Sequence, residues 1–482
     1  MCPPVFRRLW AVALAGSLAA CSRPPETDPR IISEWMHRLY GAVRVERLSP
    51  PVASRLFMYA TASLYSGLAA STPGLPSLEG HLNGLPSLPK GESGQRYDPT
   101  VTAVTAERVI LDSLFREGLP TTRASLAQLG DSILAARAAL GIKDEVRARS
   151  EDLGRRTALA LLAWSHADGF DSTRGRKFVI PTGHGLWIND APVDSYSPQT
   201  LSAATQLIVP NNPTNAMAPG SASDRGLILD RQKRPGISTL PAANMAGVTE
   251  PFWGNNRLFV MKQWDECPAP PPPAYSEQPG TPLYEEARHV YETREKLTPE
   301  QRATALYWAD NGGESGTPVG HWLSIASQMV AERKLKAEEA AWLMTLTSAS
   351  MADAFIATWG YKFKFNVIRP RSFIRATMDP EWEPAIPTPP FPEYFSGHST
   401  VSAAAAATLT GILGSGPFDD STSLSIGHPV RRFASFSAAA DEAGLSRIYG
   451  GIHYPMSNTA GAELGRCIAA RLLDRFDGGR LR

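Results

Sequence analysis

FSGHS, at Phe395–Ser399, is followed at once by Thr400–Leu413, a run of Ala, Val, Thr and Leu that is typical of a buried helix. Ser is a favoured residue immediately before a helix, so Ser396 is predicted to cap this one. The first turn of a helix has unpaired backbone N–H groups and the positive end of the helix dipole, which together attract an oxyanion. His398 lies in that turn, where an imidazole can exchange a proton with a bound anion.

Two flanking segments carry the positive charge that an oxyanion site requires. YKFKFNVIRP contains Lys362 and Arg369, and SRIYGGIH contains Arg447 and His453. The planar fork of Arg matches the oxygens of a tetrahedral anion two at a time. One Lys, two Arg, two His and a helix start therefore predict a site for a multiply charged oxyanion.

The order and spacing of these three motifs resemble those of the vanadium-dependent haloperoxidases, which share their active site with acid phosphatases and the type 2 phosphatidic acid phosphatases. The superfamily pattern is a Lys, six residues and Arg-Pro, then Ser-Gly-His, then Ser-Arg, five residues and His. This chain fills every one of those positions. The spacing to Arg369 selects Lys362 over its neighbour Lys364.

This resemblance implies a role for each residue of the site. The oxygens of vanadate, or of phosphate in a phosphatase, would be held by a set of five residues: Lys362, Arg369, Ser396, Gly397 and Arg447. His453 would be the ligand of vanadium in a haloperoxidase, or the nucleophile that forms a phosphohistidine in a phosphatase. His398 would be the acid–base in both reactions, and Lys362 would also polarise bound peroxide.

Positions outside the three motifs also resemble the superfamily. YWAD, which ends at Asp310, lies in the region where the haloperoxidases keep an acidic residue beside the catalytic His. The resemblance implies that Asp310 orients His398 and holds it basic, although an Asp there could also simply end its helix. His321 is interpreted as a packing residue. Trp359 and Phe391 match the aromatic positions that line the halide region in chloride-oxidising members.

One position departs from the superfamily pattern. Members normally have Asp four residues after the apical His, where its carboxylate bonds the other ring nitrogen, whereas this chain has Ser457. A hydroxyl can orient an imidazole but does not stabilise an imidazolium as a carboxylate does. We therefore expect weaker enzymatic activity, with a phosphohistidine reaction affected more than a peroxidase reaction.

Residues 1–21 are predicted to be a lipoprotein signal peptide. Arg7 and Arg8 precede an apolar run that is too short for a permanent membrane span, and LAAC, which ends at Cys21, resembles a bacterial lipobox. Acylation of Cys21 would tether an exported chain in the periplasm or cell envelope, and Ser22 favours the outer membrane by the rule for bacterial lipoproteins. The alternative is an ordinary signal peptide with an incidental Cys.

Apolar residues three and four apart recur along the chain, which predicts an all-α fold of helical bundles with long irregular loops. Residues 22–45 are expected to form a linker and first helix, and residues 46–476 one helical domain with its motifs within 359–457. The resemblance implies two four-helix-bundle halves. The predicted helices include Pro51–Leu68, Val101–Glu117, Thr122–Leu140, Ser150–Asp168, Pro282–Lys296, Thr298–Asp310, Gly320–Lys334, Ala337–Tyr361, Thr400–Leu413 and Met456–Phe476.

Composition and charge restrict the possible partners. The chain has 482 residues, of which 43% are hydrophobic, so it can bury a large core. Its formal net charge of +1 gives no indication of a nucleic-acid partner. Cys267 and Cys467 would remain after maturation. Two such widely separated Cys are no disulfide framework, and we expect them to stay unpaired.

Three functional hypotheses follow from these observations. The first is a vanadate-dependent haloperoxidase of the soluble branch, which would oxidise halide with hydrogen peroxide. The second is an acid phosphatase that would hydrolyse a phosphomonoester on the same residues. The third is a surface lipoprotein that binds an oxyanion tightly without turnover, for which Ser457 is the support.

Overall fold

The computed structural model describes residues 26–174, 176–190 and 247–481. The predicted signal peptide at residues 1–21 and its lipidation site Cys21 lie outside these described residues. Residues 191–246, which belong to the predicted long loop, also lie outside them.

Helices dominate the described chain, so the all-α prediction is confirmed. The N-terminal half contains α1 (Arg30–Glu46), α2 (Pro50–Ser71), α3 (Pro99–Leu114), α4 (Pro120–Ala138), α5 (Asp144–His166) and the single turn α6 (Phe170–Thr173). The C-terminal half contains α7 (Pro282–Glu295), α8 (Pro299–Tyr307), α9 (Thr317–Glu332), α10 (Ala337–Phe365), α11 (Pro370–Thr377), α12 (Gly397–Leu413), α13 (Phe436–Tyr449) and α14 (Pro455–Arg475).

Local capping residues set where several of these helices begin. The side chains of Ser49 and Asp98 accept backbone N–H groups from the first turns of α2 and α3. Thr298 and Gln301 form a reciprocal capping box at the start of α8. These helices also have Pro in the first turn, where no N–H is needed. Short sequence signals therefore fix the starts of these helices.

The two halves meet along α10. In the N-terminal half α2 packs on α3 and α5, and in the C-terminal half α12 packs on α13 and α14. Helix α10 contacts both α2 and α12. Among the described helices, α10 alone is long and apolar enough to cross a membrane, but its apolar window is completely buried in the protein. Its hydrophobicity is thus that of a core helix.

A small antiparallel ribbon and three helices, α6, α11 and α13, were not predicted from the sequence. Strand β1 (Phe418–Asp420) pairs with β2 (Arg431–Phe433), with Phe418 opposite Phe433. The ribbon is too short to show an alternating pattern, and α11 spans only eight residues. The start of α5 at Asp144 is also earlier than the predicted Ser150. Helix α13, which the sequence did not predict, belongs to the site because it carries Arg447 in its last turn.

Cys267 and Cys467 form a disulfide, with their Cα atoms 6.0 Å apart. The expectation that they stay unpaired is therefore wrong. Packing onto α10 brings them together: Asp353 accepts the backbone N–H groups of three successive residues, Phe259 to Met261, and the Tyr361 hydroxyl donates to the Cys267 carbonyl. A separation of 200 positions left no local signal for this contact.

The described ends of the predicted loop at 178–282 lie against the segments that carry the site motifs. Trp187 N–H donates to the Asn366 carbonyl at 2.8 Å, and Thr249 N–H donates to the Pro390 carbonyl at 3.0 Å. Apart from the 3₁₀ turn Trp253–Asn255 the described parts of this loop contain no regular element. Irregular backbone therefore lies against one side of the site.

Candidate active site

The start of α12 has the form predicted from FSGHS. The Ser396 hydroxyl accepts the Ser399 N–H at 3.3 Å, and the helix begins at Gly397. Ser396 is fully buried. The unpaired N–H groups of this first turn therefore face the interior of the protein, where the attraction between a helix start and an anion is weakly screened.

Lys362 lies in the last turn of α10 and is fully buried. Its Nζ donates to the carbonyls of Pro392 and Glu393, at 3.0 and 2.9 Å, and to that of Phe395. Burial and the neighbouring Arg369 hold the pKa of this ammonium well below its usual value, while the charge of Glu393 opposes them. An anion bound beside Lys362 would stabilise its charged form.

Arg369 joins the two sides of the site from its position just before α11. Its Nε donates to the Phe391 carbonyl at 2.9 Å, and its Nη1 donates to the Ile452 carbonyl at 2.8 Å. The same Nη1 lies 3.2 Å from Nε2 of His453. The guanidinium therefore fixes the turn that presents His453.

Arg447 reaches across from α13 to the end of α8. Its Nη2 donates to the carbonyls of Ala305 and Trp308, at 3.1 and 2.7 Å. Burial lowers the pKa of Arg447 to about 10, and the charge of Asp310 opposes this effect. The side chain is 1% exposed and remains a cation at neutral pH.

The turn between α13 and α14 points His453 inward, as the Gly450-Gly451 pair predicts. Gly451 has φ of +76°, a conformation that side chains with Cβ rarely adopt. Burial holds the pKa of His453 well below its usual value, and the charges of Arg369, Lys362 and Arg447 lower it further. All three cations therefore act on one neutral imidazole.

Glu393 is a member of the site that the sequence analysis missed. Its Oε1 lies 2.7 Å from Nδ1 of His453 and also accepts the Tyr454 N–H at 3.0 Å. Burial raises the pKa of Glu393 to about 7, although Arg369 and Lys362 favour its ionised form. FPEYF, in which it lies, resembles no catalytic motif, and His453 is 60 positions away. A local pattern could not have found this pair.

His398 stands in the first turn of α12. Its Nε2 is buried and has no hydrogen-bond partner among the described residues. The Trp308 carbonyl, which accepts from Arg447, also favours the protonated ring. Burial and then the charge of Arg447 lower the pKa of His398 well below its usual value. A neutral imidazole with a free Nε2 lone pair can accept a proton.

Asp310 makes no hydrogen bond to His398 in the described structure, although its charge raises the pKa of that imidazole as expected. Its carboxylate bonds Nδ1 of His321 at 3.0 Å, and Nε2 of His321 lies 2.8 Å from Asp420 Oδ2 at the end of β1. The interpretation of His321 as a simple packing residue is wrong. Burial alone would lower the pKa of His321, but the two carboxylates outweigh burial and raise it to about 10. The Trp308 ring stacks on this imidazolium, with ring centroids 4.5 Å apart.

Trp359 and Phe391 form an aromatic wall beside the cations. Their ring centroids are 5.0 Å apart. The Phe391 ring lies 5.0 Å from Nζ of Lys362 and 4.8 Å from Cζ of Arg369. The indole N–H of Trp359 donates to the Thr249 carbonyl at 3.1 Å, which fixes that ring. One side of the site is thus apolar and the other is cationic.

Known proteins resemble this chain in sequence and in fold. A family model for the VCPO second helical-bundle domain matches residues 342–478. Vanadium chloroperoxidase of Curvularia inaequalis is 30% identical over 187 residues, which are 32% of this chain and 31% of that protein. The match thus spans about a third of the curated relative.

Solved structures extend the resemblance to almost the whole chain. A structure described as the first bacterial vanadium-dependent iodoperoxidase has 29% identity and a TM-score of 0.73, covering 94% of this chain and 98% of that one. The family model, the curated relative and the iodoperoxidase structure together support the vanadium-dependent haloperoxidase superfamily. A holo-type bacterial vanadium-dependent chloroperoxidase, at 13% identity, has a TM-score of 0.61 over 94% of this chain and 98% of that one, and shows the same fold.

The structure gathers the predicted site residues, but it changes the hydrogen-bond partners expected for two of them. The residues that it brings together are Lys362, Arg369, Ser396, Gly397, His398, Arg447 and His453, with Trp359 and Phe391 at one side. Glu393 bonds His453, whereas Ser457 makes no regular hydrogen bond through its hydroxyl. Asp310 bonds His321 and acts on His398 only through its charge.

Proposed function

We propose that this chain is a vanadate-dependent haloperoxidase, which oxidises halide with hydrogen peroxide. The observation that carries the proposal is the convergence of three buried cations and two neutral imidazoles on one capped helix start. Nε2 of His398 is buried without a partner in this arrangement. A buried acceptor left unpaired is costly unless a ligand satisfies it.

The residues present fit a bound vanadate. Arg369 and Arg447 would hold its oxygens, together with Lys362 and the N–H groups at Gly397 and His398. Nε2 of His453 would be the nitrogen ligand, because its pKa is low enough for the ring to be neutral at physiological pH. When bound, vanadate supplies a Lewis acid that activates peroxide, and the vanadium keeps its oxidation state.

The chain's own residues would carry the protons and shape the halide region. His398 offers a neutral Nε2 that can take a proton from bound hydrogen peroxide. Lys362 lies against both aromatic rings, with its Nζ 5.8 Å from Trp359 and 5.0 Å from Phe391. A halide would therefore meet a cation on one side and an apolar wall on the other. This wall favours a weakly hydrated anion.

A phosphatase reaction is the second candidate, and the Glu393–His453 pair favours it. A carboxylate hydrogen-bonded to Nδ1 makes the opposite nitrogen a better nucleophile and stabilises the imidazolium character that develops. The substitution at Ser457 is therefore no argument against phosphohistidine formation. Phosphate and vanadate have the same shape and charge pattern, so the same cations serve both.

The deciding experiment measures halogenation of a dimedone reporter by the mature protein with peroxide and bromide, before and after loading with orthovanadate. We expect vanadate-dependent turnover that disappears in His453→Ala. His166→Ala is the matched control, because that imidazole is on the surface, with its side chain 63% exposed. If vanadate gives no turnover and instead inhibits hydrolysis of an aryl phosphate, the protein is a phosphatase.

We also propose that the chain is exported and anchored to the cell envelope through acylated Cys21. The Cys267–Cys467 disulfide supports an oxidising compartment. In a bacterial host, the full chain should incorporate radiolabelled palmitate and fractionate with membranes, whereas Cys21→Ser should lose the label and the membrane association. Equal fractionation of the two chains would contradict the anchor.

A further inference from the structure

We infer that Glu393 is the positioning residue that holds His453 in its oxyanion-binding tautomer, in place of the carboxylate that the superfamily normally has at position 457. This inference rests on the oxyanion site of the proposed function, but not on which reaction the site performs. It names a residue outside the three motifs and accounts for Ser457.

Glu393 lies on the Nδ1 side of the His453 ring. Glu393 Oε1 lies 2.7 Å from Nδ1 and also accepts the Tyr454 N–H at 3.0 Å. The Glu393 side chain is fully buried. Two donors on one buried carboxylate oxygen fix its place, and a fixed acceptor in turn fixes the plane of the imidazole.

Arg369 lies on the opposite side of the ring, beside Nε2. Nη1 of Arg369 lies 3.2 Å from Nε2 of His453, and a guanidinium can only donate. Nε2 must therefore carry the lone pair, and the proton of the neutral ring must be on Nδ1. Arg369 and Glu393 thus define the same tautomer from the two sides of the ring. This tautomer presents the lone pair of Nε2 to the cations.

The backbone of Glu393 bonds to the segment that carries Lys362. Its carbonyl accepts from Nζ of Lys362 at 2.9 Å, and its N–H donates to the Val367 carbonyl at 3.0 Å. The side chain of the same residue holds His453. Glu393 therefore couples the position of Lys362, on α10, to that of His453, in the turn between α13 and α14.

Ser457 lies beside Glu393. It is fully buried in the first turn of α14, and its hydroxyl lowers the pKa of the Glu393 carboxyl. A second carboxylate at 457 would lie against the first one, and two like charges at close range in a buried site repel strongly. The small residue at 457 thus complements the carboxylate at 393.

The experiment uses four variants of the full mature chain: Glu393→Ala, Glu393→Gln, Ser457→Asp and the double variant Glu393→Ala with Ser457→Asp. Orthovanadate affinity is measured by calorimetry, and the tautomer of His453 is measured by ¹⁵N NMR of the vanadate-free protein. Loss of the outer partner of a metal-bound His typically costs 10–100-fold in affinity, and we expect about that loss for Glu393→Ala. Gln retains an acceptor oxygen, so Glu393→Gln should lose less.

Ser457→Asp gives the sharpest prediction because its effect should change sign. In the wild-type background it should weaken orthovanadate binding by placing a second carboxylate beside Glu393. In the Glu393→Ala background it should restore binding and the Nδ1-protonated tautomer. Such a reversal is a coupling between two sites in contact, which a general loss of stability cannot imitate.

Glu286→Ala is the matched control. Glu286 lies on α7, and its carboxylate accepts the Met456 N–H at 2.9 Å in the first turn of α14. It therefore supports the same helix start as Glu393 but bonds a backbone N–H there and not His453. We expect this variant to bind orthovanadate as the wild type does. If Glu286→Ala and Glu393→Ala lose affinity equally, Glu393 acts only through the helix start and the inference is wrong.

Two results separate failure of this inference from failure of the proposed function. If the wild type binds no orthovanadate, the proposed function fails, and the NMR measurement still decides the inference. If Glu393→Ala leaves the tautomer of His453 unchanged, or if Ser457→Asp has the same effect in both backgrounds, Glu393 is not the positioning residue. Should Glu393→Ala fail to fold, Glu393→Gln gives the test: it should weaken orthovanadate binding to a smaller extent, and an unchanged affinity would contradict the inference.

Discussion

His321 and His453 are both buried, and both are hydrogen-bonded to a carboxylate, yet their protonation is opposite. His321 lies between Asp310 and Asp420, which raise its pKa to about 10. His453 has Glu393 on one side, but burial and the surrounding cations hold its pKa well below the usual value. The first is an imidazolium at neutral pH, and the second is a neutral imidazole.

The difference teaches that the summed charge around a buried His decides its role, and that a carboxylate contact alone does not. Two carboxylates around His321 leave no need for an anion, so that cluster is closed and structural. Three cations around His453 exceed the charge of Glu393, so that cluster requires an anion. Only the second arrangement is suited to binding vanadate or phosphate.

Substitution of His398, a third imidazole, is expected to have the largest effect of this series. Burial and the charge of Arg447 lower the pKa of this ring, and the charge of Asp310 opposes them, so His398 is a neutral imidazole without a hydrogen-bonded carboxylate among the described residues. His398→Gln should reduce vanadate-dependent bromide oxidation by roughly 10²–10⁴-fold, as removal of an acid–base group does, while orthovanadate affinity changes little. Initial rates and calorimetry on the same preparation test this. A parallel loss of affinity would show that His398 is a binding residue instead.

His321→Gln should affect stability more than chemistry. The substitution leaves Asp310 and Asp420 without the cation between them, and breaking a buried ion pair costs roughly 3–5 kcal/mol. Urea unfolding monitored by circular dichroism measures the free energy of unfolding. His166→Gln is the control, since that surface pair with Asp171 should contribute less than about 1 kcal/mol.

Much of this site was predictable because the relevant residues lie in short motifs. Lys362, Arg369 and Pro370 occur within one segment, and Ser396 precedes an apolar helix, so spacing and capping rules apply. Periodicity likewise predicts the long helices, including α10, whose ends are close to the predicted ones. What a local pattern encodes could be inferred from the sequence.

The rest depends on contacts between distant segments. Glu393 is 60 positions from His453, Asp420 is 99 positions from His321, and the two disulfide cysteines are 200 apart. Nothing near Ser457 signals that its usual carboxylate is supplied by another segment. Similarly, the hydrogen bond between Asp310 and His321 was not predicted, because the sequence does not show which imidazole the turn after α8 approaches.

The pH dependence of stability sharpens the contrast. The pKa of His321 is about 10 in the folded protein and about 6.5 when unfolded, so its contribution is complete below about pH 6.5 and is lost as the pH rises toward 10. The slope should approach 1.4 kcal/mol per pH unit for this one proton. Urea titrations from pH 6.5 to 10 should show this decline in the wild type and a flatter profile in His321→Gln. Equal profiles would place the imidazolium elsewhere.

Tyr307→Phe should have the smallest effect of the series. The Tyr307 hydroxyl donates to Asp420 at 2.7 Å, and a hydrogen bond to a charged group contributes about 1.5–3 kcal/mol. The loss should appear in the free energy of unfolding and leave orthovanadate affinity unchanged, because the His321 cluster is structural. A change in affinity as large as that of Glu393→Ala would show that the two clusters are coupled.

Neutron diffraction from a deuterium-exchanged crystal near pH 8 tests the central claim most directly, because it locates the protons on each ring. The account predicts deuterium on both nitrogens of His321, on Nδ1 alone of His453 facing Glu393, and on one nitrogen alone of His398. Deuterium on Nε2 of His453, or a singly protonated His321, would contradict the claim that the summed charge around each ring decides its role.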